Sequence, residues 1–142
     1  MLYTSLTRKA MRICFDAHRD QTDKSGLPNV FHPFHLAEQM TDEVTVAAAL
    51  LHDVAEDTAL TFGDLAEMGI PERVIGVLRL LTHDKAVPYM DYVRALKADP
   101  AARAVKLADL RHNSDLTRLE RVTEEDLARA EKYRAAMAIL EK

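Results

Sequence analysis

One apolar run that ends in four ionisable side chains is the feature that most constrains this chain. The run extends from Val44 to Leu51 and leads directly into His52, Asp53, Glu56 and Asp57. Its apolar residues recur at helical spacing, which predicts one helix with a buried stripe. On such a helix His52 and Glu56 lie one turn apart, as do Asp53 and Asp57. Buried charges are costly unless they are paired or bound to a metal, so this helix end predicts a functional site.

The remainder of the chain predicts an all-α fold. It has only four glycines, and no stretch alternates β-branched with polar residues. We expect one compact domain over residues 1–142, a bundle of about eight helices. Their expected bounds are about Ser5 to Arg19, Pro33 to Met40, a central helix capped by Thr41 or Asp42, Thr61 to Gly69, Pro71 to Leu81, Pro88 to Ala98, Asp99 to Leu116, and Thr123 to Leu140.

Composition limits the classes of partner and the compartment. The net charge of −4 argues against a nucleic-acid-binding protein, which needs a basic face. The stretch from Met1 to Arg12 has no long apolar run, so we expect neither a signal peptide nor a membrane span. The single cysteine, Cys14, lies among apolar positions and suits a reducing cytoplasm as an inert thiol. No feature indicates a homo-oligomer.

Two further residues complete a candidate metal site with His52 and Asp53. His32 precedes a proline at a predicted helix start, where its ring can point away from its own helix. Asp109 lies in an apolar helical stretch, where a carboxylate needs a partner. Two imidazoles and two carboxylates suit Mn, Fe, Ni or Zn better than Ca or Mg. Four protein ligands leave positions open on the metal for a water and a substrate oxygen.

Each candidate also has a structural explanation when it is taken alone. His52 is then a hydrogen-bonded core histidine, Asp109 forms an ion pair with Lys106, and Glu56 and Asp57 mark a helix end. Taken together they indicate one buried polar locus, because all of them are expected at the same end of the central helix.

Several segments, taken in order along the chain, resemble the HD-domain phosphohydrolases, and within them the hydrolase domain of RelA/SpoT proteins and the small alarmone hydrolases, including metazoan SpoT homologues. The longest is the Ala-Leu-Leu-His-Asp-x-x-Glu-Asp-Thr string, and the next is Lys-Leu-Ala-Asp-x-x-His-Asn. No synthetase segment follows them, so the chain resembles the hydrolase half alone. The matching segments are Ala17-His18 to Gln21, Lys24-Ser25-Gly26, Pro28, His32-Pro33 with Ala37, Ala48 to Thr58, Leu81-Thr82, and Val105 to Asp109 with His112-Asn113.

The resemblance implies a metal-dependent hydrolase of (p)ppGpp that removes the 3′ pyrophosphate by means of a metal-bound water. In this family Glu56 and Asp57 would be the catalytic acidic pair. Asn113 would hold the substrate ribose or pyrophosphate. The usual metal is manganese, and its ligands would be His32, His52, Asp53 and Asp109.

Three cations are candidates to contact the substrate phosphates: Lys24, Lys85 and Arg118. For each, a solvated surface cation is the alternative explanation. His35, one turn after His32, is more typical of a packing histidine than of a fifth ligand.

Two positions depart from the family pattern, and they leave other functions open. Asp23 stands where the family has an arginine that packs on the guanine base, and Asn29 replaces an aromatic residue. Both changes concern nucleotide recognition and leave the metal ligands intact. One alternative is an HD phosphohydrolase for another nucleotide, such as NADPH or a nucleoside phosphate. A second is a module that senses a nucleotide without turnover, and a third is a helical scaffold without a site.

Overall fold

Nine α-helices and one 3-10 helix make up the computed structural model, which describes residues 1–142. The all-α prediction is confirmed, since the only β-type pairing is an isolated bridge between Thr22 and Pro28. No helix combines the length and the apolar character that crossing a bilayer requires. The helices are α1 Ser5–Ala17, α2 Phe31–Glu38, α3 Glu43–Leu51, α4 Val54–Asp57, α5 Phe62–Glu67, α6 Glu72–Leu81, α7 Tyr89–Leu96, α8 Pro100–Asn113, the 3-10 helix Leu116–Arg118, and α9 Glu124–Glu141.

Side-chain caps begin the helices where the sequence predicts them. Thr61 and Thr123 each accept from the third backbone N–H of their helix in a reciprocal capping box. Asp42, rather than Thr41, caps α3. Asp99 caps α8, and a proline occupies the first helical position there. These caps satisfy backbone donors that a helix start otherwise leaves without partners.

The buried helix α3 is the centre of the molecule. Every residue from Thr45 to Leu51 is buried, and Ala47, Ala48 and Ala49 have no exposed surface. Helices α1, α2, α6 and α8 pack around it. Three consecutive alanines let these neighbours approach the α3 backbone closely, so side chains from different helices reach a common point at its C-terminal end.

The central helix is not continuous, and this part of the prediction was wrong. Helix α3 ends at Leu51, and α4 begins only at Val54. His52 Nδ1 lies 2.7 Å from the carbonyl oxygen of Ala49, which is the acceptor that Asp53 N–H would use in an unbroken α-helix. The side chain of His52 therefore donates to this carbonyl in place of the backbone N–H of Asp53. His52 and Asp53 occupy a turn between the two helices.

Helix α2 also differs from the prediction, because it begins at Phe31 rather than at Pro33. His32 therefore lies inside the first turn. A proline is tolerated in a first turn, since its missing N–H would have no intrahelical acceptor there. The other expected bounds differ by a few residues, as at α8, where the chain leaves the helix after Asn113 and forms the short 3-10 helix.

Replacing Ala48 by leucine tests the close packing around α3. We expect Ala48→Leu to lower the free energy of unfolding by about 1–3 kcal/mol, because the added atoms have no space among the neighbouring helices. Ala128, which is exposed on α9, provides the control. Urea titration of both variants measures the change, and equal stability of Ala48→Leu and Ala128→Leu would contradict the close packing.

Candidate metal centre

Four predicted ligands meet at the C-terminal end of α3. His32 comes from α2, His52 and Asp53 from the turn between α3 and α4, and Asp109 from α8. His32, His52 and Asp109 are buried, and each places one ligand atom within 4.8 Å of the other two. Asp53 Oδ2 lies 3.1 Å from His52 Nε2 and 4.0 Å from His32 Nε2. The structure thus brings together all four residues that the sequence analysis proposed.

The orientation of His52 indicates a cation site. A carbonyl oxygen only accepts, so the 2.7 Å contact with Ala49 places the proton on His52 Nδ1. The lone pair of Nε2 then faces inward, and this buried atom has no hydrogen-bond partner. Its nearest polar neighbours are carboxylate oxygens of Asp53, at 3.1 Å, and Asp109, at 3.5 Å. A lone pair that faces two carboxylates is repelled unless a positive charge lies between them.

The electrostatics of the cluster lead to the same conclusion. Burial alone would lower the pKa of His52, but Asp53 and Asp109 outweigh it and raise this pKa well above its usual value. Burial opposes ionisation of Asp109, yet Lys106 and the two histidines hold its pKa well below the ordinary range. The carboxylate of Asp109 therefore stays charged, and the cluster attracts a positive charge to His52 Nε2, which a proton supplies when no metal is bound. A mixed set of imidazole nitrogens and carboxylate oxygens fits a divalent transition metal.

His112 is a residue of the site to which the sequence analysis gave no role. Its Nδ1 lies 2.6 Å from Nδ1 of His32. A metal-binding histidine commonly donates its second ring N–H to a neighbouring acceptor, which fixes the orientation of the ring. His35 stacks on His112, with ring centroids 4.1 Å apart, so its predicted packing position agrees with the structure. The sequence feature that could have identified His112 is its position three residues after Asp109, about one turn further along the same helix.

Asp109 is held by neighbours on both of its oxygens. Lys106 Nζ lies 3.1 Å from Oδ2, and Asn113 Nδ2 donates to Oδ1 at 2.9 Å. Lys106 is mostly buried, and its ammonium group lies 5.3 Å from the ring centroid of Tyr92. Asn113, predicted to contact substrate, therefore also fixes the oxygen that faces the two histidines.

The two predicted catalytic acids lie on α4, beside the cluster. Glu56 Oε1 accepts from the backbone N–H of His83 at 3.0 Å, and the backbone carbonyl of Asp57 accepts from Gln21. Burial is the main cause that raises the pKa of each carboxyl group, and the charge of Asp53 raises both further. Both side chains stay open to the cavity, so proton exchange with a bound molecule is sterically allowed.

A cavity of about 460 Å³ opens above the cluster and the two acids. Lys24, Arg118 and Asn113, three of the predicted substrate contacts, are among the residues that line it. Lys85 does not, because it lies in the exposed segment between α6 and α7, with its side chain outside the cavity wall. Lys85 therefore lies apart from the other predicted substrate contacts in this structure.

Helix α9 supplies part of the cavity wall, which the sequence analysis missed. Arg129, Lys132 and Tyr133 line the cavity from this helix. Asp126 binds Arg129 and also Lys24, whose Nζ lies 3.1 Å from Asp126 Oδ1. No local signal relates α9 to the central helix, since the contact depends on how α9 packs against α7 and α8.

Asp23 and Asn29, the two departures from the family pattern, also line the cavity. Asp23 Oδ1 accepts from the backbone N–H groups of Ser25 and Leu27, at 2.8 and 3.0 Å, so its carboxylate stabilises the loop. Asn29 Nδ2 donates to Gln21 Oε1 at 3.0 Å. Both side chains are therefore held in place by the loop that carries Lys24.

Comparison with known proteins gives a consistent set of relatives, although no family model matches the chain. The bifunctional (p)ppGpp synthase/hydrolase SpoT of Escherichia coli K12 is 38% identical over 120 residues, which are 75% of this chain but only 17% of SpoT. The guanosine-3′,5′-bis(diphosphate) 3′-pyrophosphohydrolase MESH1 of Homo sapiens is 36% identical over 115 residues, 71% of this chain and 64% of MESH1. MESH1 of Danio rerio is 33% identical over 129 residues, 81% of this chain and 71% of that protein.

One solved structure agrees with these relatives. It is described as a metazoan ortholog of SpoT that hydrolyzes ppGpp and plays a role in starvation responses. Its TM-score with this chain is 0.73 at 27% sequence identity, and the match covers 99% of this chain and 85% of the other.

The contact between His112 and His32 predicts an effect on metal affinity. His112→Phe keeps a stacked ring but removes the nitrogen that faces His32, so we expect divalent metal to bind about 10–100-fold more weakly. His35→Phe is the matched control, because His35 stacks on His112 without facing a proposed ligand. Competition titration with a chromogenic chelator measures both affinities. Unchanged affinity in His112→Phe would exclude this role.

Proposed function

Because this chain belongs to the family of HD-domain hydrolases that includes SpoT and MESH1, we propose that it is a metal-dependent phosphohydrolase of (p)ppGpp. The reaction would add water to the 3′-linked diphosphate of guanosine tetra- or pentaphosphate, releasing pyrophosphate and GDP or GTP. We propose the cytoplasm as the compartment in which the protein acts. Its one cysteine, Cys14, is a buried free thiol whose pKa is raised by burial to about 12, and such a thiol suits a reducing compartment.

One observation carries this proposal: the unpartnered Nε2 of buried His52 faces two carboxylates beside a second pair of acids. We propose His32, His52, Asp53 and Asp109 as the metal ligands, with manganese as the physiological metal. A divalent metal at this place would supply a water of lowered pKa at neutral pH. A site that only senses a nucleotide has no need of Glu56 and Asp57 next to such a cluster, since their charges are costly there.

We assign the proton transfers to the acidic pair. Glu56 would accept the proton of the attacking water, and its raised pKa suits a group that later returns a proton to the leaving ribose oxygen. Burial is the main cause of the raised pKa of Glu56, and repulsion from Asp57 adds to it. The backbone N–H of His83 holds Glu56 in place.

The cations of the cavity would bind the phosphates. Lys24 and Arg118 are the predicted contacts that line it, and Asn113 is a further polar candidate. Arg118 makes no ion pair and donates to the carbonyl of His112 at 2.9 Å, so its charge is free for an anion. Lys24 is partly neutralised by Asp126.

A second candidate substrate is another nucleotide, such as NADPH or a nucleoside phosphate. The observation that favours it is the commitment of the Asp23 carboxylate to backbone donors of its own loop. A carboxylate held at this part of the wall offers a nucleobase a different surface from the arginine that alarmone hydrolases are expected to carry.

A substrate screen separates these candidates. The manganese-loaded protein is incubated with ppGpp, NADPH and nucleoside phosphates, and pyrophosphate and orthophosphate are measured separately. Pyrophosphate from ppGpp supports the main proposal, and orthophosphate alone supports the second candidate. Binding without release of either product would indicate a sensor.

Glu56→Gln tests the assigned base. We expect turnover to fall about 100–10,000-fold, because the amide cannot accept the proton. The metal content should stay at the wild-type level, since Glu56 is not a proposed ligand. Glu67→Gln, an exposed substitution on α5, is the control and should keep full activity. Full turnover in Glu56→Gln would remove Glu56 from this role.

The raised pKa of Glu56 predicts the acid side of the pH profile. A base must be deprotonated, so activity is present above the pKa of Glu56 and is lost as pH falls through it. Because burial raises this pKa above the ordinary value of 4.5, kcat/KM should begin to fall at a higher pH than for an unperturbed glutamate. Metal content is measured at every pH to exclude metal loss. An acid limb at or below pH 4.5 with the metal retained would contradict the assignment.

A further inference from the structure

Helix α4 carries both proposed catalytic acids but is too short to be stable alone. It has four residues, and isolated helices of that length do not form in water. Its last carbonyl groups have no N–H donor within the helix, so their partners must come from elsewhere. Thr58 satisfies the carbonyl of Val54, and the position of Asp57 depends on a residue far away in the sequence.

Gln21, which follows α1, is that residue. Its Nε2 donates to the backbone carbonyl of Asp57 at 2.8 Å across 36 positions of sequence. Its Oε1 accepts from Asn29 Nδ2 at 3.0 Å and lies 2.8 Å from Nδ1 of His18, which is almost fully buried. One amide thereby connects the end of α1, the loop of the cavity wall, and the helix of the acids.

The partners determine the orientation of this amide. The carbonyl of Asp57 can only accept, so the nitrogen of Gln21 must face it and the oxygen must face the other two groups. His18 Nδ1 and Asn29 Nδ2 are then both donors. Because Asn29 uses its Nδ2 for Gln21, its Oδ1 has no hydrogen-bond partner within the protein. The side chain of Asn29 lines the cavity.

From this geometry we infer that Gln21 is a positioning residue that couples the place of Asp57 to the place of Asn29 in the cavity wall. The inference rests on the proposed function, because it assumes that Asp57 acts in catalysis. In this inference, Oδ1 of Asn29 is the atom that accepts a hydrogen bond from an N–H or O–H group of the substrate. No other side-chain type of this length offers an acceptor for two donors and a donor for a carbonyl in one planar group.

The backbone of Gln21 makes the side-chain role separable from loop closure. Its carbonyl accepts from Asn29 N–H at 2.9 Å, and its N–H donates to the carbonyl of His18 at 3.1 Å. Both bonds survive a change of side chain. A Gln21→Glu variant therefore keeps the loop closed and keeps an acceptor for His18 and Asn29, while it loses only the donor to Asp57.

Three variants separate the two arms of the amide. Gln21→Glu affects the Asp57 arm, and Asn29→Ala affects the loop arm. Gln39→Glu is the matched control, because Gln39 is exposed, directly follows α2, and its side chain donates only to the carbonyl of His35 in that helix. For each variant we measure kcat, KM, metal content and Tm on the substrate that the screen identifies, together with amide hydrogen exchange around Asp57.

We expect Gln21→Glu to lower kcat about tenfold. The variant loses the hydrogen bond to the carbonyl of Asp57 and places a carboxylate opposite that carbonyl. Asn29→Ala should raise KM with little change in kcat, and Gln39→Glu should resemble the wild type. Metal content should be constant, and exchange at Asp57 and Thr58 should be faster in Gln21→Glu alone.

Two results would overturn the inference: an unchanged kcat in Gln21→Glu, or a loss of kcat that only follows the loss of folded protein measured by Tm. If the wild type turns over none of the substrates, the proposed function fails, and the hydrogen exchange around Asp57 still decides whether Gln21 holds this segment. Equal exchange in Gln21→Glu and Gln39→Glu would then reject the coupling.

Discussion

The burial of two imidazoles and a carboxylate at one point is the constraint on which the rest of the structure depends. Removing such groups from water costs several kcal/mol for each charge unless partners compensate it. Here the compensation is specific: Lys106 and Asn113 bind the oxygens of Asp109, and the carbonyl of Ala49 accepts from His52. What stays uncompensated is the lone pair of His52 Nε2 beside carboxylates, and a proton or a metal ion at this place satisfies that arrangement.

The same constraint explains the break in the central helix. An unbroken helix would use the Ala49 carbonyl for its own backbone, and His52 would then lack the contact that orients its ring. The turn at His52 and Asp53 exchanges one backbone bond for an oriented imidazole. It also redirects α4, so that Glu56 and Asp57 face the cavity beside the cluster and not the packed interior. The cost is a four-residue helix that needs outside support from Gln21 and His83.

Sequence reasoning reached the parts of the structure that local chemistry determines. The helix starts at Thr61, Asp99 and Thr123 follow from caps, since a capping side chain and the backbone N–H that donates to it lie within three residues. His52, Asp53 and Asp109 were found because charges that end or interrupt an apolar stretch need partners, and His32 was found because it precedes a proline at a predicted helix start. The break at His52 was missed because hydrophobic periodicity does not show when a side chain, here the ring of His52, competes with a backbone N–H for the same carbonyl. The wall formed by α9 was missed because it depends on packing between distant helices.

Chemistry and recognition lie on different parts of this fold. The cluster is attached to α2, α3 and α8, whose buried residues leave little freedom to move. The wall that would meet a nucleobase includes the loop with Asp23 and Asn29, and α9, joined to that loop through Asp126 and Lys24. Hydrogen bonds and one partly exposed ion pair hold these elements, and such contacts change with little effect on the core. A hydrolase of this architecture can therefore keep its metal chemistry while its loop selects a different nucleotide, which is why Asp23 and Asn29 matter more for the identity of the substrate than any residue of the cluster.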